Sequence, residues 1–202
     1  MTAVDGAPSG RPLADESLST LLDRVGSSAP TPGAGPSAAW TCALAAALVE
    51  MVCAVALRKD PPDPGATERR HARAVELRRR AGELADADGA AYTEVLAVLQ
   101  RRAEPGHGRR LRDALSNAAD PPAALAAVAA EVARLAADSA EEARGGVRGE
   151  AITAAVLAEA VVRVCHSIVE LNLAGATEDP RRAEVQALVA SAQADLGRAT
   201  GD

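Results

Sequence analysis

The sequence contains almost no aromatic residues: it has no phenylalanine, one tryptophan (Trp40) and one tyrosine (Tyr92). β-Sheets favour aromatic and β-branched residues, so this shortage argues against a sheet-based fold. Alanine, which costs no side-chain entropy in a helix, makes up about a quarter of the chain. Because 48% of the residues are apolar and 25% are charged, the composition is that of a folded protein. We therefore predict an all-α fold of closely packed helices.

The residues that build disulfides and metal sites are also scarce. Cys42, Cys53 and Cys165 are odd in number and form no CxxC pair, and the three histidines share no HxxxH or HExxH spacing. The sequence thus predicts reduced thiols, a cytoplasmic location and no metal site. The net charge of −6 argues against nucleic-acid binding, because a phosphate backbone requires a concentrated basic surface.

Signals for export or for membrane insertion are weak. The N-terminal residues carry acidic side chains and no apolar segment, which argues against a signal peptide. The longest apolar run, Ala38–Leu57, is long enough to span a bilayer. It is rich in alanine, has few large side chains and contains Glu50, so we interpret it as a buried helix and expect no membrane association.

Hydrophobic periodicity and Pro/Gly breaks predict about seven helices. Residues 1–12 are rich in Gly, Pro and Ser and are predicted to form a flexible arm, followed by a single helical domain over 13–202. Thr67 and Asp120 are the predicted N-caps of the third and fifth helices. The second helix is apolar nearly all round, which predicts a central position and a homodimer that covers its remaining surface. The predicted helices are 18–25, 37–57, 67–102, 109–119, 120–143, 150–173 and 179–198.

Spacing alone indicates three regions of chemical interest. The loop from Pro30 to Ser37 adjoins the start of the second helix, where free amides and the helix dipole can hold an anion or a carbonyl oxygen. Asp86 and Asp88 are close enough to shift each other's pKa, and Tyr92 lies one helical turn after Asp88. The alternatives are a plain interhelical turn and a solvated charged face.

The third region is the end of the sixth helix. Asn172 lies in an apolar stretch, with Glu159, Arg163 and Glu170 on another face of the same helix. A buried asparagine requires hydrogen-bond partners, and these can be purely structural. From spacing alone, the sequence thus indicates a helical bundle with a possible acidic site.

The order of several motifs resembles a family of folate enzymes. Residues 30–39 read PTPGAGPSAA and are similar to P-x-P-G-G-G-S-x-A-A of that family, while 84–92 read LADADGAAY and are similar to L-x-D-x-D-A-x-A-F. Residues 43–52, 118–122 and 149–173 are similar to further segments in the same order. The chain thus resembles the formimidoyltetrahydrofolate cyclodeaminase / methenyltetrahydrofolate cyclohydrolase family from about Leu18 to Leu196.

This resemblance implies an antiparallel helical homodimer with a folate site near the interface. It implies a tetrahydrofolate derivative as substrate and no bound cofactor or metal. The two known reactions of the family pass through a tetrahedral carbon between N5 and N10 of the folate, where a carboxylate can transfer protons. The resemblance suggests Asp88 as this group and Asp86 as the second choice. The substrate-binding residues that it implies are Gly33, Gly35, Ser37, Glu150, Arg163 and Asn172.

The chain also departs from the family pattern. Ala34 and Pro36 replace a glycine and a serine of the loop, Gly149-Glu150 replaces Ser-Asp, and Ile168 replaces an asparagine. No formiminotransferase domain accompanies the chain, which favours a cyclohydrolase over a cyclodeaminase. The alternatives are a relative recruited to a non-folate imine, amidine or cyclisation reaction in specialised metabolism, and a non-catalytic helical dimer.

Overall fold

The structure, a computed structural model, describes residues 16–59, 61–143 and 145–201. Within these ranges the chain forms seven α-helices and no strand, which confirms the predicted all-α bundle. The predicted N-terminal arm, 1–12, lies outside the described residues. The helices are α1 (Leu18–Val25), α2 (Ala34–Leu57), α3 (Pro64–Gln100), α4 (His107–Asn117), α5 (Asp120–Glu142), α6 (Val147–Asn172) and α7 (Pro180–Thr200).

Helix α2 packs against α3, α5 and α6, while α7 covers α5 and α6, and α4 packs against α3. The core is built mostly from alanine and valine. On α2, Ala39, Cys42, Ala45, Ala46 and Val49 have no exposed surface, and they recur at the three- and four-residue spacing of one helix face. Because alanine extends no further than Cβ, the helices approach closely without large side chains between them.

Several helix starts and caps differ from the sequence-based prediction; α4 and α6, for example, begin at His107 and Val147 rather than at 109 and 150. Helix α2 begins at Ala34 rather than Ser37, because Pro36 is tolerated in a first turn whose amides have no intrahelical partner. The N-cap of α3 is Asp63 rather than Thr67: its Oδ1 accepts the Ala66 amide at 2.9 Å. Asp120 is the first residue of α5, one position after the cap.

Helices α2 and α6 are each long and apolar enough to cross a membrane, as core helices of soluble proteins also are. Their inward faces belong to the bundle core. Their outward faces carry the exposed apolar side chains Leu44, Met51, Val156, Val164 and Leu171.

Candidate functional site

A cavity of about 280 Å³ opens where the start of α2, the middle of α3 and the end of α6 meet. We call it the Asp88 cavity. The loop before α2 forms one wall and the α4–α5 turn closes another. Its polar and backbone lining comprises Thr31, Gly33, Gly35, Asp88, Tyr92 and Asn172.

Asp88 reaches this cavity through a contact that only glycine permits. Its carboxyl group lies directly against the α-carbon of Gly35, in the first turn of α2. A Cβ added at Gly35 would overlap all three terminal atoms of that carboxyl group, Cγ, Oδ1 and Oδ2. The absence of a side chain at Gly35 therefore fixes how closely α3 presents its acid to the N-terminus of α2.

The Asp88 carboxyl group is half-buried and has no hydrogen-bond or ion-pair partner within the described part of the chain. Burial raises its pKa to about 6, because a charged carboxylate loses water contacts there. A pKa near neutrality lets one group both take up and release a proton at cellular pH.

The cysteines next to Asp88 are not suited to act as nucleophiles. Cys42 and Cys165 are completely buried. Burial raises the pKa of the Cys42 thiol to about 12. It also raises the pKa of Cys165, and the nearby Cys42 and Asp88 raise it further. Since the thiolate is the reactive form, Asp88 is the group near this cavity that is best poised for proton transfer.

The side-chain amide of Asn172 has a defined orientation. Its Nδ2 donates to the carbonyl oxygen of Ala118 at 2.8 Å. A carbonyl oxygen can only accept, so the nitrogen must face Ala118, which leaves Oδ1 as an acceptor at the cavity. Arg181 stabilises the segment next to Ala118, because it donates to the carbonyl oxygen and to the hydroxyl oxygen of Ser116, both at 2.8 Å.

The structure brings together four of the predicted site residues, Gly33, Gly35, Asp88 and Asn172. Ser37 lies one turn into α2, where its hydroxyl donates to the Gly33 carbonyl oxygen at 2.8 Å and so supports the loop rather than lining the cavity.

Asp86, Arg163 and Glu150 lie away from the cavity lining. Asp86 points about 200° away from Asp88 around α3. Arg163 is exposed and pairs with the buried Glu159 at 3.1 Å. Glu150 lies in the first turn of α6 and Asn172 in its last, so about 33 Å separates them along the helix.

The cavity is also lined by residues that are not among the predicted site residues, namely Thr31, Ala118, Ile168 and Leu171. Ile168 precedes Asn172 by one helical turn, so the i, i+4 spacing could have placed it there. Together with the exposed Leu171, it makes this wall apolar where the family pattern has an asparagine. In the described ranges, no group of three or more His, Cys, Asp and Glu residues is placed to hold a metal ion.

Comparisons with known proteins agree with the observed fold and with the resemblance in the sequence motifs. The chain matches the family described as formiminotransferase-cyclodeaminase over residues 17–191. It is 33% identical over 192 residues to the methenyltetrahydrofolate cyclohydrolase of Methylorubrum extorquens, covering 89% of this chain and 92% of that relative. Its fold is similar to the crystal structure of formiminotetrahydrofolate cyclodeaminase from Thermotoga maritima, with a TM-score of 0.83, 26% identity and coverage of 93% of this chain and 96% of that chain. The resemblance seen in the sequence motifs is confirmed, and the chain belongs to the formiminotransferase-cyclodeaminase family.

Proposed function

We propose that this protein hydrolyses 5,10-methenyltetrahydrofolate to 10-formyltetrahydrofolate. The observation that carries this proposal is Asp88: an unpartnered carboxyl group with a pKa of about 6, facing a cavity at the start of a helix. The name of the Methylorubrum relative favours the cyclohydrolase reaction. The substrate itself is the folate, and the proposal includes no bound cofactor and no metal.

The proposed chemistry begins with attack of water on the methenyl carbon. At pH 7 most Asp88 carboxyl groups are ionised, so Asp88 accepts a proton from the attacking water. The resulting carbon carries a hydroxyl group and bonds to both N5 and N10. The protonated Asp88 then donates to N5 as the C–N5 bond breaks, and the hydroxyl group loses its proton to leave the formyl group on N10. One proton is released overall.

The other cavity groups have binding roles in this proposal. Asn172 Oδ1 accepts a hydrogen bond from an N–H of the substrate, because its amide nitrogen is already occupied by Ala118. Ile168, Leu171 and the ring of Tyr92 provide apolar contacts for a flat heterocycle. The free amides at the start of α2 face a polar atom of the substrate.

Cyclodeamination of 5-formimidoyltetrahydrofolate is the second candidate, favoured by the structural similarity to the Thermotoga enzyme. In that reaction N10 attacks the formimidoyl carbon and ammonia leaves. The same carboxyl group would transfer the protons, because the tetrahedral carbon again lies between N5 and N10. Ammonia release from 5-formimidoyltetrahydrofolate distinguishes this activity from hydrolysis.

The test is the substitution Asp88→Asn, which keeps the shape of the side chain and removes its titration. Turnover of 5,10-methenyltetrahydrofolate, followed by loss of its near-ultraviolet absorbance, should fall by about 10² to 10⁴-fold with little change in folate binding. Asp86→Asn is the matched control on the same helix and should retain activity. Equal rates for the wild-type protein and Asp88→Asn would remove Asp88 from the mechanism, and absence of wild-type turnover on either folate would refute the proposed function.

We further propose that the protein is a homodimer in the cytoplasm. The exposed apolar residues Leu44, Met51, Val156 and Val164 lie on α2 and α6, which pack against each other, and a second copy of the chain would cover them. Trp40, also on α2, has a buried indole N–H without a hydrogen-bond partner in the described chain. Light scattering should give about twice the 20.5 kDa chain mass. A monomer at micromolar concentration would contradict this proposal.

A further inference from the structure

A second cavity, of about 190 Å³, lies at the opposite end of α2. We call it the distal cavity. It is lined by the last turns of α2 and α5, the first turns of α3 and α6, and the described residues Lys59, Pro61 and Pro62 between α2 and α3. Most of its wall is apolar, and Val52, Val55, Ala56, Pro61 and Val147 contribute to that wall.

The distal cavity is separate from the Asp88 cavity. Gly35 lines one and Ala56 lines the other, and both residues belong to α2. At a rise of about 1.5 Å per residue, these positions are roughly 30 Å apart along the helix. Within one chain, the distal cavity is therefore too far from Asp88 to take part in the chemistry there.

Most polar groups that line the distal cavity already have partners within the protein. Arg70 makes a two-pronged ion pair with Glu142, with N–O distances of 2.8 and 2.7 Å. The buried hydroxyl of Thr67 donates to the Asp63 carbonyl oxygen at 3.0 Å, and that of Ser139 to the Leu135 carbonyl oxygen at 2.8 Å. These groups are satisfied without a ligand.

Lys59 is different. It is the only lysine in the sequence. No carboxylate of the described ranges forms a salt bridge with it, although its neighbour Asp60 lies outside those ranges. Because Arg70 and Glu142 neutralise each other, Lys59 gives the described lining a net positive charge in a chain whose net charge is −6. The side chain of Lys59 is exposed to solvent, so its attraction for an anion is partly screened and depends on the adjoining apolar wall to exclude water.

We propose that the distal cavity binds a small aliphatic carboxylate. The carboxylate contacts the ammonium group of Lys59, and the hydrocarbon chain packs against Val52, Val55 and Val147. Pockets for drug-sized ligands measure roughly 300 to 1,000 Å³, so a cavity of about 190 Å³ suits an acid of a few carbons. The apolar wall disfavours a strongly hydrated anion such as inorganic phosphate.

Calorimetric titration of the full chain with sodium butyrate tests this site. We expect saturable binding with a dissociation constant of about 1 mM, much weaker binding of inorganic phosphate, and none of butyramide, which has the same shape without the charge. Lys59→Gln should weaken butyrate binding by at least tenfold, whereas Lys59→Arg should largely retain it. Arg58→Gln, which removes an exposed charge next to the cavity lining, is the matched control and should bind like the wild-type protein.

The position of the site is checked by two further variants. Val147→Trp should fill the cavity and abolish binding, with circular dichroism confirming that the fold is kept. Asp88→Asn should leave butyrate binding unchanged, so this result does not depend on the proposed folate activity. The proposal is overturned by absence of saturable butyrate binding, by equal effects of Lys59→Gln and Arg58→Gln, or by phosphate binding as tightly as butyrate.

Discussion

Replacing Gly35 by alanine tests the contact that positions Asp88. The new Cβ would occupy the space of the Asp88 carboxyl group, closer than 3.0 Å to each of its three terminal atoms. Asp88 has a short, rotatable side chain, so we expect its carboxyl group to move away while the two helices stay in place. The substitution should therefore separate activity from stability.

The expected free energies are opposite in sign and similar in size. Alanine is favoured over glycine in a helix by roughly 1 kcal/mol, while crowding of a packed contact costs about 1–3 kcal/mol. We expect the free energy of unfolding of Gly35→Ala to fall by about 0–2 kcal/mol. Turnover should fall by at least about 10²-fold, because the carboxyl group that we propose as the proton-transfer group would no longer face the substrate.

A double-mutant cycle with Asp88→Ala isolates the contact. In the Asp88→Ala background the added Cβ has nothing to displace, so Gly35→Ala should be neutral or stabilising in urea unfolding. Gly82→Ala on α3 is the control, since a Cβ at Gly82 meets no atom within 4 Å. That variant should gain about 0.5–1 kcal/mol and keep its activity.

Two results would refute this reasoning. Gly35→Ala could retain wild-type turnover, which would mean that the close approach of Gly35 does not position the carboxyl group. Alternatively, the free-energy effects of Gly35→Ala could be the same with and without Asp88, which would mean that the two residues are not coupled.

Three further predictions concern pH, the amide of Asn172 and metal. Because burial raises the pKa of Asp88 from 3.8 to about 6, the folded state binds the proton of Asp88 more tightly than the unfolded chain does. The contribution of Asp88 to stability should therefore be full below about pH 4 and be lost as the pH rises to about 6. Asp88→Asn should abolish this loss, which we expect to be about 1–2 kcal/mol after allowing for solvent screening of a half-buried group. Urea unfolding at pH 4 and pH 7 measures the difference. Identical pH profiles for the wild-type protein and Asp88→Asn would contradict this prediction. Asn172→Leu should raise the KM for the proposed folate substrate about tenfold. It should also abolish the preference for substrates over analogues that lack one N–H. An unchanged preference would show that Oδ1 of Asn172 accepts no hydrogen bond from the substrate. Treatment with a chelator should leave turnover unchanged, and a stoichiometric metal that survives dialysis would disprove a metal-free mechanism.

The fold class and most of the helices follow from the amino-acid sequence alone. Alanine-rich segments with apolar residues at helical spacing have few ways to bury their surface other than as packed helices, and Pro and Gly mark their ends. The sequence also identified Asp88 and Asn172 as candidates, because motif order along the chain survives the replacement of single residues. The exact starts of the helices do not follow from local sequence. Pro36 fits the first turn of a helix as well as it fits a loop, and the packing of that turn decides between the two.

Which candidate residues share a site depends on how the helices pack. Gly35, Asp88 and Asn172 come from three helices and meet at one end of the bundle, whereas Glu150 lies at the other end of the helix that carries Asn172. The pKa of Asp88 follows from its burial, and the acceptor at Asn172 follows from the Ala118 carbonyl oxygen that holds its nitrogen. Local sequence carries neither property, because desolvation and hydrogen-bond direction arise from groups that are far apart in the chain and adjacent in the fold.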